Sequence, residues 1–319
     1  MAGDPAAAMP ATVISASDDA TVRVWDVGSG AQRAVFRGHG AAVTGFAVSH
    51  DGALVVSGSA DGTVRCWRHG QADSEQVMTA GAPVTAVALA DGDRYAVAGT
   101  VQGTLCVWDL RSGAGPRVLD TGEPVQVLCT TSDGRMIFTG GVAGTAGVWA
   151  ADTGANQQVF RGRGGPILTL AVPNGQQVLT GCIDGYLTSW DLVSGRLLWE
   201  RQAHESLLSQ MAVLGSDDKR IATGGGDGAV RVWRVADGAL VADMKGTGDA
   251  VRAVATAPNG RWVIAAAANV AVLWDVSTGR EVARFDGDAG ISATAISDDG
   301  LVVCGEATGA VHLLTLIDR

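Results

Sequence analysis

Histidine, serine or threonine, and aspartate recur together in this sequence, a combination that can form a nucleophilic catalytic triad. The two complete sets, each with a tryptophan six residues after the aspartate, are His39, Ser57, Asp61 and Trp67, and His204, Thr223, Asp227 and Trp233. A catalytic triad is needed only once, with an exposed nucleophile and an oxyanion hole, and the sequence contains no Gly-x-Ser-x-Gly turn. Repetition beside a tryptophan instead indicates a structural hydrogen-bond network, so we predict no catalytic residue and no enzymatic activity.

The other polar residues predict neither a metal site nor a cofactor site. No two of the five histidines stand at the spacing of metal ligands. Residues 224–228 are glycine-rich, but the Lys-Ser or Lys-Thr of a phosphate-binding loop does not follow them. The five cysteines lack a Cys-x-x-Cys pair and fall in predicted strands, which is typical of reduced core thiols in a cytosolic protein.

Composition narrows the classes of partner. The chain has 319 residues, 47% of them hydrophobic, and a formal net charge of −10, which argues against nucleic acid or an anionic membrane as the main partner. Residues 1–11 lack the basic start and leucine-rich core of a signal peptide, and no apolar run reaches the ~18 residues of a membrane helix. We expect a cytoplasmic protein.

Tryptophan recurs at a nearly constant interval along the chain. The seven copies, 41 to 43 residues apart, are Trp25, Trp67, Trp108, Trp149, Trp190, Trp233 and Trp274. Leu314 takes the same place in one further copy. Within each interval, short alternating apolar stretches are separated by turns such as Asp-Gly, Asn-Gly and Ser-Gly, as in successive β-hairpins. A period of about 40–45 residues with four strands is that of a β-propeller blade.

The repeated pattern resembles the WD-repeat family over nearly the whole chain. Trp-Asp ends four of the copies, and Gly-His precedes an inner strand at residues 38–39. The resemblance implies an all-β propeller of four-stranded blades, and it implies a non-catalytic scaffold that binds protein or peptide partners. It also implies that the two sets described above are structural blade networks. Four copies have another residue in place of the turn aspartate, namely Gln102, Ala143, Ala268 and Thr308, and we expect their blades to depend more on apolar packing.

The number of blades is left open by the two ends of the chain. Residues 31–317 form seven complete units, which would close a seven-bladed ring. Residues 12–27 add a further strand pair with good turn chemistry, and a dangling hairpin with an apolar face is unstable in water. We therefore favour eight blades, with three-stranded sheets where the ends meet. Residues 1–11 are predicted to be an extension and residues 12–319 a single propeller domain.

Loops and strand ends around the channel of a propeller are the usual place for partner contacts. Residues at equivalent positions near the start of the inner strands are candidates for such contacts, and they are Thr44, Thr85, Gln126, Leu168, Ser209, Arg252 and Ser292. Arg252 is the strongest, because arginine is enriched at binding hot spots. It is also possible for Arg252 to pair with Asp249. Tyr186, which replaces a threonine in its turn, is the second candidate, and Asp18, Glu123 and Asp249 could form an acidic rim.

Three other functions stay open at the level of sequence. The last repeat, residues 305–314, resembles those of propellers in nucleotide-binding (STAND-type) signalling proteins, which implies a sensor or autoinhibitory part of a larger ATPase. Residues 108–111, Trp-Asp-Leu-Arg, resemble the box of substrate receptors for cullin-type ubiquitin ligases. Residues 189–199 resemble a repeat of quinone-dependent propeller dehydrogenases, without their metal ligands. In every case we expect a monomer or one part of a larger assembly.

Overall fold

Eight antiparallel sheets follow one another along the chain. The computed structural model describes residues 12–68 and 76–316, so the predicted extension, residues 1–11, lies outside the described part. Six of the sheets have four strands, and the first and the last have three. The fold is an all-β propeller, and the prediction of eight blades with three-stranded sheets at the two ends is confirmed.

The strands are numbered in chain order, and the sheets are blades 1 to 8. Blade 1 contains β1 (Thr12–Ala16), β2 (Thr21–Asp26) and β3 (Gln32–Arg37), and blade 2 contains β4 (Val43–Val48), β5 (Leu54–Ser59), β6 (Thr63–Arg68) and β7 (Gln76–Thr79). Blade 3 contains β8 (Val84–Ala90), β9 (Tyr95–Thr100), β10 (Thr104–Asp109) and β11 (Arg117–Asp120). Blade 4 contains β12 (Val125–Thr130), β13 (Met136–Gly141), β14 (Thr145–Ala150) and β15 (Asn156–Arg161). Blade 5 contains β16 (Ile167–Ala171), β17 (Gln177–Cys182), β18 (Tyr186–Asp191) and β19 (Leu197–Gln202). Blade 6 contains β20 (Leu208–Leu214), β21 (Arg220–Gly225), β22 (Ala229–Arg234) and β23 (Leu240–Lys245). Blade 7 contains β24 (Val251–Thr256), β25 (Trp262–Ala267), β26 (Val270–Asp275) and β27 (Arg280–Asp286), and blade 8 contains β28 (Ile291–Ile296), β29 (Leu301–Glu306) and β30 (Val311–Thr315). A single 3-10 turn, Pro173–Gly175, joins β16 to β17.

Each complete blade is a meander that runs from an inner strand to a second, a third and an outer strand. Because the inner and second strands pair antiparallel, the start of the inner strand lies beside the end of the second, next to the tight turn that leads into the third strand. Blade 2 shows why glycine is required in this turn. Gly62 has a φ of +81°, and the carbonyl oxygen of Ala82 lies 3.3 Å from the position that a Cβ would take.

The apolar core is divided among the contacts between neighbouring blades. Seven clusters of buried side chains link blade 1 to blade 2 and so on through blade 7 to blade 8. In the cluster between blades 3 and 4, for example, Leu105 and Ile137 are fully buried beside Trp149. Within the described residues no such cluster links blade 8 to blade 1.

The two three-stranded blades lack different strands within the described part of the chain. The indole of Trp25 on β2 donates to Ser15 on β1, as Trp67 on the third strand of blade 2 donates to Ser57 on the second. Blade 1 therefore has a second, a third and an outer strand. Blade 8 begins with a bulged inner strand, β28, like those of blades 2 to 7, and ends at its third strand. The junction between blades 8 and 1 is called the seam below.

Candidate binding face

The first repeated polar set, in blade 2, forms one connected network. Ser57 Oγ accepts a hydrogen bond from Trp67 Nε1 at 2.7 Å and lies 2.7 Å from His39 Nε2. The other ring nitrogen of His39 lies 3.2 Å from Asp61, whose carboxylate also accepts from the backbone N–H groups of Gly40 and Thr63. The network ties the segment before the inner strand to the second strand, to the turn and to the third strand.

The second set, in blade 6, has the same layout with one addition. His204 lies 2.9 Å from Thr223 Oγ1 and 2.8 Å from Asp227, and Trp233 Nε1 donates to Thr223 at 2.9 Å. Arg231 on the third strand also donates to Asp227, at 2.7 Å. The networks predicted from sequence are therefore formed in both blades.

Burial explains why these residues cannot act as a catalytic triad. Ser57 and Thr223 are 0% exposed, so no substrate reaches either hydroxyl. Burial lowers the pKa of His39 and of His204 despite the neighbouring carboxylates, which keeps both rings neutral near pH 7. Burial alone would raise the pKa of Asp61, but hydrogen bonds from Thr63 and Gly40 outweigh it and hold that pKa at about 2.

Several blades without the turn aspartate use another polar group, so the expectation that they depend more on apolar packing was incomplete. In blade 4, Glu123 accepts from the backbone N–H of Ala143 and from the hydroxyl of Thr145. In blade 3, the Thr100 hydroxyl lies 2.7 Å from that of Thr104 and accepts from two backbone N–H groups of the turn. Blade 8 uses a glutamate from its second strand: Glu306 accepts from Asp288 N at 3.0 Å and from Thr308 at 3.2 Å.

The candidate contact residues of the inner strands hold equivalent positions in the structure. Each is the second residue of its inner strand, at the end of the strand that lies beside the turn between the second and third strands. We call this end of the propeller the rim face. The residues are Thr44 on β4, Thr85 on β8, Gln126 on β12, Leu168 on β16, Ser209 on β20, Arg252 on β24 and Ser292 on β28.

The hydroxyl residues of this set have structural partners. Thr44 Oγ1 donates to Gly58 O in its own blade and to Val84 O, the first inner residue of the next blade, at 3.1 and 2.9 Å. Ser209 does the same with Gly224 O and Val251 O, at 2.9 and 2.6 Å. These hydroxyls therefore link successive inner strands.

Arg252 differs from its equivalents on the rim face. Its side chain is exposed, and within the described residues it forms no ion pair and no side-chain hydrogen bond. The pair with Asp249 that the sequence left open is not formed, although Asp249 is itself exposed. Gln126 is also exposed, and Leu168 is half-buried.

The structure places Tyr186 apart from Arg252. Tyr186 is half-buried at the start of β18, a third strand, where it pairs with Gln202 two blades away from β24. The acidic candidates also separate. Asp18 and Asp249 are exposed, whereas the Glu123 carboxylate is used by its turn. The sequence analysis placed Glu123 on an acidic rim. The turn of blade 4 lacks the aspartate, and the sequence does not indicate that Glu123 takes over its hydrogen bonds.

Comparison with known families supports the repeat pattern. The family model described as "WD domain, G-beta repeat" matches residues 8–26, 30–68, 74–109, 195–234 and 238–275, together more than half of the chain. The chain belongs to the WD40 family. The five matched segments include both complete hydrogen-bond networks, and the unmatched middle falls on blades 4 and 5, where the family pattern is weaker.

A solved structure extends the likeness of this WD40 chain to nearly its whole length. The computationally designed Ika8 protein is 27% identical to it, with a TM-score of 0.85, over 96% of this chain and 93% of that one. No curated protein matches the chain.

WD40 propellers generally serve as non-catalytic scaffolds, and the described residues fit that description. Residues 12–68 and 76–316 contain no group of three histidine, cysteine, aspartate or glutamate side chains that could hold a metal ion. Nor does any helix in those residues have the length and apolar character to cross a membrane.

Proposed function

We propose that this WD40 propeller is a protein-interaction scaffold that binds a protein or peptide partner on its rim face without catalysis of its own. The observation that carries the proposal is Arg252. It is an exposed arginine without an ion pair in a ring of residues whose hydroxyl members are engaged by backbone carbonyls.

The chemistry of Arg252 indicates what the partner presents there. A guanidinium recognises a carboxylate with two parallel hydrogen bonds, which gives both strength and orientation. Gln126 and Leu168 add an exposed amide and an aliphatic group on the same ring. We therefore propose a partner segment with an acidic side chain or terminal carboxylate that contacts Arg252, beside a polar and an apolar contact.

The test is affinity capture with the wild type and an Arg252→Glu variant. Reversal of the charge places two carboxylates together, so the partner is expected to lose at least about tenfold in affinity. Gln126→Ala and Leu168→Ala should weaken capture of the same partner by smaller factors.

The matched control is Arg135→Glu. Arg135 follows the turn between the first two strands of blade 4, at the opposite end of the propeller, and its side chain is 80% exposed. The control makes the same change in net charge on another face. If the captured proteins are the same for the wild type and both variants, the rim face is not the binding surface.

A further inference from the structure

A cavity of about 960 Å³ opens at the end of the propeller opposite the rim face. It lies where β4, β8 and β12, the inner strands of blades 2, 3 and 4, end and turn into the second strands. The Thr130 hydroxyl on β12 donates to Leu89 O on β8 at 3.3 Å, so these inner strands are direct neighbours. We call the cavity the inner-turn pocket, because the turns between the inner and second strands surround its opening.

The wall of the inner-turn pocket is apolar. Val87, Ala88 and Leu89 of β8 lie at its centre, with Ala47 of β4 on one side and Cys129 of β12 on the other. All five side chains are half-buried, so each keeps part of its surface accessible. Such a wall gains free energy when it covers the aliphatic part of a ligand, because apolar surface then leaves water on both sides.

The mouth of the inner-turn pocket is acidic. Asp51 of blade 2, Asp91 and Asp93 of blade 3, and Asp133 of blade 4 line the pocket from their turns, and the lining residues include neither lysine nor arginine. Hydrogen bonds from neighbouring hydroxyl groups hold the pKa of Asp51 and of Asp133 below the ordinary value, so both carboxylates stay charged near pH 7.

Two arginines follow these turns, and neither cancels the charge of the mouth. Arg94 donates to Asp109, a carboxylate outside the pocket, at 2.8 Å, and it lies 4.0 Å from Asp91. Arg135 lies 4.0 Å from Asp133, and its side chain is 80% exposed. Exposed pairs at such distances contribute little, because water and salt screen them. The mouth therefore keeps a net negative charge.

Hydrogen bonds fix the three turns to one another. His50 N in blade 2 donates to the Asp93 carboxylate in blade 3 at 2.8 Å, and Asp91 N donates to Gly134 O in blade 4 at 2.9 Å. The carboxylates are therefore held in place before a ligand arrives, which lowers the entropic cost of binding.

We infer that the inner-turn pocket binds a basic segment of a partner protein. The lysine or arginine side chains of the segment pair with the carboxylates of the mouth, and an aliphatic side chain between them packs on the wall. The four carboxylates are spread over three blades, a spread that a segment with several cations matches and a single small amine does not. Nucleic acid and anionic membranes carry charge of the same sign as the mouth, so neither fits it.

The probe is a fluorescent peptide, Lys-Lys-Leu-Lys-Lys, and its binding to the full chain is measured by anisotropy. We expect saturable binding that weakens at least tenfold when the salt concentration rises from about 50 mM to about 500 mM, because salt screens charges in an open mouth. Lys-Lys-Ser-Lys-Lys should bind more weakly, because it lacks the side chain that packs on the wall. Glu-Glu-Leu-Glu-Glu should not bind.

An Asp91→Asn/Asp93→Asn/Asp133→Asn variant locates the site. It should bind the Lys-Lys-Leu-Lys-Lys peptide at least tenfold more weakly, because three carboxylates of the mouth lose their charge. The fold should be unaffected. Asparagine keeps an oxygen acceptor at each position, and it tolerates the positive φ of +51° at residue 91 and of +64° at residue 93.

The matched control is Asp120→Asn/Asp286→Asn/Asp288→Asn. It makes the same change in net charge with exposed residues at the rim-face ends of blades 3, 7 and 8. Because these charges lie on the other face, the control should bind the peptide within about twofold of the wild type. Arg252→Glu should also leave peptide binding unchanged, which separates this pocket from the function proposed for the rim face.

Three results would overturn the inference. The first is a lack of saturable binding of the Lys-Lys-Leu-Lys-Lys peptide. The second is an equal loss of affinity in the two triple variants, because the peptide would then respond to net charge alone. The third is equally strong binding of Lys-Lys-Ser-Lys-Lys or of spermine, because any polycation would then occupy the pocket without use of the wall.

Discussion

Ser57 is the only hydrogen-bond partner, within the described residues, of two ring nitrogens in the core of blade 2. The indole of Trp67 and the Nε2 atom of His39 both lie 2.7 Å from its hydroxyl. A buried donor that loses its acceptor retains the full cost of desolvation, which is about 1–3 kcal/mol. We therefore expect the Ser57 hydroxyl to contribute more to the stability of the network than the tryptophan that marks the repeat.

Ser57→Ala is predicted to lower the free energy of unfolding by about 2–3 kcal/mol, as measured by urea denaturation. The matched change is Ser15→Ala in blade 1. There the hydroxyl accepts only from Trp25, at 2.9 Å, and the site is half-buried and has no histidine. The control should cost about 1 kcal/mol or less. Equal losses in the two variants would show that the histidine adds nothing to the network.

The buried histidines predict how stability depends on pH. Burial lowers the pKa of His39 and of His204 below the ordinary value of 6.5, so the unfolded chain binds more protons than the folded chain between the two pKa values. This contribution is complete above about pH 6.5 and is lost as the pH falls through and below that value. The groups that face the rings are Asp61 and Arg65 in blade 2, and Asp227, Arg231 and Asp243 in blade 6.

The measurement is the urea midpoint of the wild type and of a His39→Gln/His204→Gln variant between pH 8 and pH 5.5. The wild type should lose stability over this range, by about 1.4 kcal/mol for each unit by which a histidine pKa is lowered. The variant should show a flatter curve. A wild-type curve as flat as that of the variant would mean that neither histidine is held neutral by the fold.

Turns are the elements in which the blades differ most. Blade 2 has an aspartate in this turn. In the turn of blade 4, the backbone N–H of Ala143 and the hydroxyl of Thr145 both donate to Glu123. Glu123 precedes the inner strand, which is the side of the blade that supplies His39 in blade 2. In blade 2 the carboxylate stands in the turn and accepts from the segment before the inner strand. In blade 4 it stands before the inner strand and accepts from the turn.

Glu123→Ala is predicted to destabilise the protein by about 1–2 kcal/mol, with faster hydrogen exchange in residues 141–145. The comparison is Asp184→Ala in blade 5. Asp184 is exposed, and it accepts from Gly165 N at 3.0 Å without a histidine partner. That change should cost less than 1 kcal/mol. If blade 4 tolerates the loss of Glu123 as easily, its turn depends on apolar packing alone.

Strands and turns could be predicted from sequence far better than side-chain networks. Alternating apolar residues and turns such as Asp-Gly predicted the successive hairpins of each blade, because both signals are local. The replacement of an aspartate by Glu123 could not be predicted, since it joins residues twenty positions apart that only the folded blade brings together. The repeat likewise places Trp190 at the position of Trp67, but within the described residues the buried Nε1 atom of Trp190 has no hydrogen-bond partner.

At the scale of the whole molecule, buried apolar clusters close the seven junctions between successive blades, and within the described residues no such cluster spans the seam. The sequence predicted where the ring closes, because the repeat count left an extra strand pair at residues 12–27. Within the described residues, the seam differs from the other junctions at Gly305, which has no side chain of the next blade packed on it as Val84 packs on Gly58.

Completion of the ring within one chain is the sharpest test of this view. Replacement of residues 1–11 by the sequence of residues 43–53 places an inner strand and its turn directly before β1. The grafted valine at the first position should pack on Gly305, as Val84 packs on Gly58, and the grafted phenylalanine at the fourth position should cover Phe46. Burial of such side chains contributes about 1.5–3 kcal/mol each, and the cost of ordering the strand offsets part of this. We expect the free energy of unfolding to rise by about 2 kcal/mol. The control carries proline at the fourth position of the graft and should gain no stability, because proline cannot donate to the strand ladder. A graft that behaves like its proline control would show that the seam does not accept a strand, whatever its source.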